Sequence, residues 1–335
     1  MHIRRVAVHD TDEFDRFYAV WRTADQFERE RPATPSRAEA HALFSRDVST
    51  EIFEGFAGFV GHEIVCTGYI NYSAVDNLDL ISVHVATDPD LRGRGHGSEM
   101  LAHLVSRGRE LGRHTLLAQA WIPSDQRNDH PYLRFAAAHG FAVANVEVRR
   151  LLDLPVDPES IDGWIDASAP HHGDYRVSTY VGKTPGDLIP SLCHVMNQLG
   201  VVAPTGDIEF EPKAITPEVF AAREQRSAAA GKVMLRALAV DGAGRVVGFS
   251  SLAIPTHEDD VVYQYGTLVL REHRGHRLGM AMKATSLRTL QEQFSDRTYI
   301  DTLNAEQNGP MTQINDVIGY RPVELRPDLQ RVITD

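Results

Sequence analysis

The stretch Arg92-Gly93-Arg94-Gly95-His96-Gly97 joins two runs of different periodicity. Before it, Leu80 to Thr87 (LISVHVAT) alternates as a strand does; after it, Ser98 to Leu111 (SEMLAHLVSRGREL) carries apolar residues at helical spacing. Strand, glycine-rich turn and helix together make a cradle for phosphate. Glycine lets the backbone approach a ligand in conformations that other residues avoid. The first helical turn offers free N–H groups at the positive end of the helix dipole. The arrangement occurs twice. Arg274-Gly275-His276-Arg277-Leu278-Gly279 follows the strand-like run VVYQYGTLVL and opens a helical run from about Leu278 to Phe294. The two leading arginines are 274 − 92 = 182 residues apart.

The neighbours of the two loops repeat as well. Before the first lie a short strand (HIRRVAV), a helix from Asp10 or Thr11 to about Arg29, a helix started by Ser36, and a strand pair turning at Gly61-His62. Phe14, Phe17, Tyr18 and Trp21 share one face of the first helix, and Phe17 and Trp21 are read as core. Before the second loop come a strand (YRVSTYVG), a helix (DLIPSLCHVMNQL), a loop over 201–215, a helix (TPEVFAAREQRSAAAG) and a hairpin around Asp241-Gly242-Ala243-Gly244. Each loop is followed by helix, strand, helix and closing strands. Matching element order with matching loop positions indicates an internal duplication. Antiparallel hairpins mixed with strand–loop–helix–strand units give an α+β class with a mixed sheet in each half. The expected division is an N-terminal domain over 1–154, a linker rich in Pro, Asp, Gly and His over 155–174 with a short helix around Ile161 to Ala167, and a C-terminal domain over 175–335.

The 335 residues, 42% hydrophobic and 24% charged, suit a globular protein with a sizeable core. A net charge of −12 argues against a general nucleic-acid binder, because phosphate backbones want a basic surface. No apolar run is long enough to span a bilayer, and the N-terminus lacks the apolar core of a secretory signal. Two distant cysteines, Cys66 and Cys193, make neither a metal spacing nor a disulfide framework, so a cytoplasmic location and no metal are expected.

With the loops and their neighbours in view, each half resembles a GNAT-superfamily N-acetyltransferase domain, and the chain is similar to the tandem GNAT proteins found among actinobacterial enzymes. The superfamily's acyl-CoA motif is Gln/Arg-x-x-Gly-x-Gly/Ala after a strand ending Val-x-Pro. Arg92, Gly95 and Gly97 match it, with Thr87-Asp88-Pro89 at the strand end. Arg274 and Gly279 match in the second half, where Arg277 replaces the middle glycine and Val269-Leu270-Arg271 replaces the strand end. The resemblance implies acetyl-CoA as acyl donor. Its pyrophosphate would lie on the N–H groups of Arg92, Gly93, Arg94, Gly95, His96 and Gly97, or of Arg274, Gly275, His276, Arg277, Leu278 and Gly279. Its pantetheine arm would run along Val85 and Thr87, or along Val269. Arg277 has two readings: it donates to a phosphate, or it fills the loop and blocks it. On the downstream helix the superfamily carries an Asn that touches CoA and a Tyr that protonates the leaving thiolate. Asn308 matches the former, with Asn304 as a partner, and Asn315 takes the Tyr position. In the first half Ala136 takes the Tyr position and Tyr132 lies one turn earlier.

Acetyl transfer to an amine needs a neutral amine beside the thioester, a donor for the developing oxyanion and a proton for the thiolate. The candidates are His84 and Tyr265 on the strands before the two loops, and Asn315 on the second helix. His84 stands against a reading as a packed or solvent-facing strand residue, and Tyr265, like Tyr263, against one as a half-buried strand residue. The acidic patches of Asp76 and Asp79, and of Glu258, Asp259 and Asp260, are read first as solvated turns and second as attractors of an ammonium substrate. The expected function is an acetyl-CoA-dependent N-acetyltransferase acting on a small-molecule amine by direct attack in a ternary complex. The alternatives are a non-catalytic acyl-CoA-binding or sensing protein, or a GNAT-fold enzyme of another acyl-CoA reaction such as decarboxylation. No nucleic-acid or membrane partner is expected, and the chain is read as a monomer or homodimer. Which half catalyses stays open.

Overall fold

The computed structural model describes residues 1–45, 50–127, 129–202, 215–257 and 260–333. The loop read over 201–215 falls mostly outside these residues, as do Glu258 and Asp259. The chain forms two compact units, and neither is a simple half. Of the described residues, one takes those over 1–146 together with 325–333; the other takes those over 147–202 and 215–324.

The first unit contains β1 (His2–Arg5), α1 (Thr11–Gln26), α2 (Arg37–Phe44), β2 (Glu51–Val60), β3 (Glu63–Ser73), β4 (Leu80–Thr87), α3 (His96–Glu110), β5 (Thr115–Gln119), β6 (Ile122–Pro123) and α4 (Pro131–Ala138). Asp10 caps α1 by accepting from the Glu13 amide, and Ser36 and Glu39 form a capping box on α2. Gly61, at φ +61°, makes the tight turn between Val60 and its register partner Glu63. Strands β1 to β4 pair antiparallel. β4 and β5 run parallel for three pairs only, Leu80↔Thr115 to Ser82↔Leu117, and then part. The far side of β5 is closed by the chain's last strand, with Leu329 opposite Ala118. Phe14, Phe17, Tyr18 and Trp21 of α1 pack with Phe59, Ile64 and Ala86 as core. α3 buries Met100, Leu101, Leu104 and Val105, and Met100 fits because Gly68 has no Cβ to meet it.

The second unit uses the last seven residues of β7 (Ala142–Asp153), then α5 (Pro158–Ser168), β8 (Arg176–Val181), α6 (Ile189–Val202), α7 (Pro217–Ala229), β9 (Lys232–Val240), β10 (Val246–Pro255), β11 (Val261–Val269), α8 (Leu278–Gln293), β12 (Tyr299–Ala305), α9 (Gly309–Ile318) and the start of β13 (Arg321–Val332). Its sheet repeats the pattern: β8 to β11 pair antiparallel, and β11 and β12 run parallel from Val261↔Tyr299 to Gln264↔Thr302. Residues Glu147–Asp153 add antiparallel to β12. There the buried Arg149 donates to Asp301 at 2.8 Å and to Glu324 at 2.7 Å. In the expected linker over 155–174, the short helix read around Ile161 to Ala167 is α5, longer than expected and packed into the second unit's core, followed by a short turn of 3-10 helix. Asp157 caps α5, Pro158 starts it, and Ile161, Trp164 and Ile165 lie one turn apart on a face packed against Leu287 and Leu290. Among the described residues, no helix is long and apolar enough to cross a membrane.

Candidate active site

A cavity of about 540 Å³ opens in the first unit where β4 and β5 part, within the size range of small-molecule sites. Val83 to Thr87 form one wall and Ala118 to Trp121 the other. The glycine loop closes one end. Gly93 and Gly95 have φ of +75° and +86°, and a Cβ at either would meet nothing within 4 Å, so the space above them is open. Gly95 is the N-cap of α3, and no side chain caps that helix. The first-turn N–H groups therefore face an open loop with two cations beside it. Arg92 stacks over Phe27 at 4.7 Å and over Tyr132 at 5.4 Å, and Arg94 reaches back to the Asp90 carbonyl at 3.5 Å. At Gly97 a Cβ would stand 3.3 Å from Thr87 Oγ1, so the loop sits tightly on the strand end. These features fit an anionic phosphate group.

His84 lies in the cavity wall, stacked on its cross-strand partner Tyr69 at 4.6 Å with the rings 14° apart. Its Nδ1 is buried and has no hydrogen-bond partner among the described residues, as is also true of His96 Nδ1. Burial pulls the His84 imidazole below its ordinary range, and the Asp25 carboxylate pulls the other way. Asp25, also in the cavity wall, accepts from Thr34 Oγ1 and, at 3.2 Å, from Arg29, whose guanidinium stacks on Trp121 at 4.5 Å.

The sequence-derived residues fall into two groups. His84, Val85, Thr87, Arg92, Gly93, Gly95, His96 and Gly97 all line this one cavity; Arg94, exposed between Gly93 and Gly95, does not. The remainder belong to the second unit, where, among the described residues, a smaller cavity of about 280 Å³ takes in Val269 and Arg274 alone of them. Tyr265 is half exposed, beside a register shift of β10 against β11. Asn315 is fully buried, taking a bond from Lys283 Nζ at 2.8 Å and giving one to Asn304 Oδ1 at 2.8 Å. Asn308 is the N-cap residue of α9, with no side-chain cap bond. Gly275 has φ +88°, Leu278 is buried, and Val269 packs against Leu278 and Met282. A Cβ on Gly279 would stand 3.1 Å from Ile314. Arg274 donates to the Val269 carbonyl at 3.2 Å. Arg277, itself in the left-handed region at φ +52°, donates to the Ala167 carbonyl, and His276 pairs with the His171 carbonyl. The acidic residues of the first patch hold local structure: Asp79 accepts from Thr115 and His114, and Asp76 accepts from Asn77.

The model of the acetyltransferase (GNAT) family matches residues 15–141, a stretch that contains most of α1, the glycine loop and α4. Those residues are similar to a GNAT domain. The fold likeness extends over the whole chain. A tandem GNAT protein from the clavulanic acid biosynthesis pathway superposes with a TM-score of 0.76 at 20% identity, covering 100% of this chain and 99% of that one. A GCN5-related N-acetyltransferase from Sphaerobacter thermophilus gives 0.66 at 13%, covering 100% and 96%. A GCN5-related glucosamine N-acetyltransferase region of a fungal multi-domain β-N-acetylglucosaminidase gives 0.67 at 13%, covering 98% and 38%. At these identities the likeness establishes the tandem GNAT fold. No curated protein matches by sequence.

The cavity of the first unit also recruits residues outside the motifs. Asp25 and Arg29 sit one turn apart around the end of α1, and Trp121 lies just past β5. Their signal was faint: an acidic and a basic residue four apart read as an ordinary surface pair. Only the parting of β4 from β5 puts them beside His84.

Proposed function

We propose that the GNAT-like domain of the first unit binds acetyl-CoA and transfers its acetyl group to the amine of a small molecule. One observation carries the reading: the intact glycine loop and the uncapped helix start lie within residues 15–141, and so does every residue of the open cavity's wall but Leu329. In this reading the N–H groups of the α3 first turn, with Arg92 and Arg94, hold the pyrophosphate, and Val85 and Thr87 border the pantetheine arm. Bound acetyl-CoA supplies the activated thioester. His84 takes the proton from the attacking amine, a role favoured by burial that keeps the ring neutral. Tyr132, which lines the cavity beside Arg92, returns a proton to the leaving thiolate. Ala136, at the position where the superfamily keeps its tyrosine, favours a second reading, a binding protein without turnover. Calorimetry with acetyl-CoA and thiol release over a broad amine panel separate the two. Binding with amine-dependent thiol release supports transfer; binding with none supports the sensor; no binding sinks both.

A further inference from the structure

We propose that the second unit is a closed copy of the acyl-CoA cleft, locked from inside by Lys283 and Asn315, so that the chain takes up one acyl-CoA and not two. The inference rests on reading the first unit's cavity as the acyl-CoA site. The two copies correspond residue by residue. Gly97 and Gly279 are 279 − 97 = 182 residues apart, the same offset as the loops, and each faces the following helix, Phe135 at 3.6 Å and Ile314 at 3.1 Å from an added Cβ. Four residues after each glycine stands Leu101 in one copy and Lys283 in the other. Next to Phe135 and Ile314 stand Ala136 and Asn315, each four residues before a Gly-aromatic pair, Gly140-Phe141 and Gly319-Tyr320.

In the first unit Leu101, Ala136 and Phe141 are walls of the open cavity. In the second, the polar replacements meet each other. Lys283 is 3% exposed and Asn315 is 0% exposed. Lys283 Nζ donates to Asn315 Oδ1 at 2.8 Å and lies 4.7 Å from the centre of the Tyr320 ring. Asn315 Nδ2 then donates to Asn304 Oδ1 at 2.8 Å. The bonds run from α8 through α9 to β12, the three elements between which a ligand would enter. A ligand that parted them would leave a buried ammonium and two amides without partners, a larger penalty than parting apolar walls. The loop is tied as well: Arg277 stands where the open copy has Gly95, and it donates to the Ala167 carbonyl. The small cavity beside this loop, about 280 Å³, contains no residue of β12 or α9.

Titration of the full chain with acetyl-CoA by calorimetry tests the inference. One equivalent is expected to bind the wild type and none the Gly95→Glu variant. A triple variant that installs the open copy's residues, Lys283→Leu with Asn315→Ala and Arg277→Gly, is expected to raise the stoichiometry from one to two. Two equivalents in the wild type would overturn the closed copy while leaving the first-unit reading intact. No binding in the wild type, or one equivalent retained by Gly95→Glu, would overturn the first-unit reading and this inference with it. A triple variant with wild-type circular dichroism that still binds one equivalent would remove Lys283, Asn315 and Arg277 as the lock. The Gly95→Glu arm leaves the second unit untouched and so decides the matter even where the triple variant does not fold.

Discussion

Glycine and histidine carry the residue-scale predictions. A side chain at Gly95 must adopt φ +86°, which costs about 1 kcal/mol or more, and a carboxylate there repels phosphate. Gly95→Glu should weaken acetyl-CoA binding beyond calorimetric detection, a loss well over tenfold, each tenfold being worth about 1.4 kcal/mol. Gly279→Glu meets Ile314 in the second unit and should leave turnover mostly intact while lowering the melting temperature. Equal, small effects of the two on turnover would refute a single active copy. At His84 the direction of the pKa shift sets the pH profile. Burial lowers the imidazole pKa, so the neutral base persists below pH 6.5. The acid limb of kcat/KM should therefore lie below that value, and His84→Gln should abolish the limb and lower kcat by about 10²–10⁴-fold. A limb that survives in His84→Gln belongs to another group. That His84 lines the cavity was legible in the sequence, because it lies on the strand that leads into the loop, 92 − 84 = 8 residues before Arg92. Asp25, Arg29 and Trp121 were not, because they reach the cavity through the packing of α1 and the parting of two strands, and neither leaves a local pattern.

At the scale of elements, α8 carries a cost that its counterpart α3 does not. Lys283 is buried, and desolvation draws its pKa down from 10.5 to about 7. The folded state thus binds fewer protons than the unfolded state between pH 7 and 10.5, and stability should rise with pH across that window. Below pH 7 both states are protonated and the full cost of burying the charge is present. Lys283→Met should flatten this rise, which is on the order of a few kcal/mol, as read from urea midpoints at pH 7 and pH 9.5. A wild-type midpoint that does not move between those values would mean that the ammonium stays charged against Asn315 and Tyr320. α5 was legible only in part, as a short helix around Ile161 to Ala167 within a linker. Its Pro, Asp and Gly resemble a linker by composition, but Pro158 and Asp157 are helix-start residues, and the signal lay in Ile161, Trp164 and Ile165. Ile161→Ala should cost about 2–5 kcal/mol, as for a buried aliphatic truncation; a cost under about 0.5 kcal/mol would return the segment to the status of a tether.

At the scale of the whole molecule, the exchange of end strands decides what can be cut. Duplication was legible from two loops in register, and it invites a division near residue 155. That division breaks both units. Residues 325–333 come near the end of the chain yet count with the first unit, where Asp328 to Val332 pair with β5 and Leu329 lines the cavity. Residues 147–153 come from the first repeat yet pair with β12 in the second unit. No periodicity marks such an exchange, because a strand reads the same whichever sheet edge it joins. A chain ending at Glu324 keeps every motif residue, Arg92 to Gly97 and His84 included, but leaves β5 with an exposed edge and the cavity without its Leu329 wall. Loss of acetyl-CoA binding is expected from that truncation, together with a lower melting temperature, and a fragment of residues 1–154 should fare no better. Supplying residues 325–335 to that fragment through a flexible linker should restore binding, since the strand then returns as an intramolecular partner. If the chain ending at Glu324 binds acetyl-CoA as the full chain does, the last strand is dispensable and the cavity is held by β4, α3 and α4 alone.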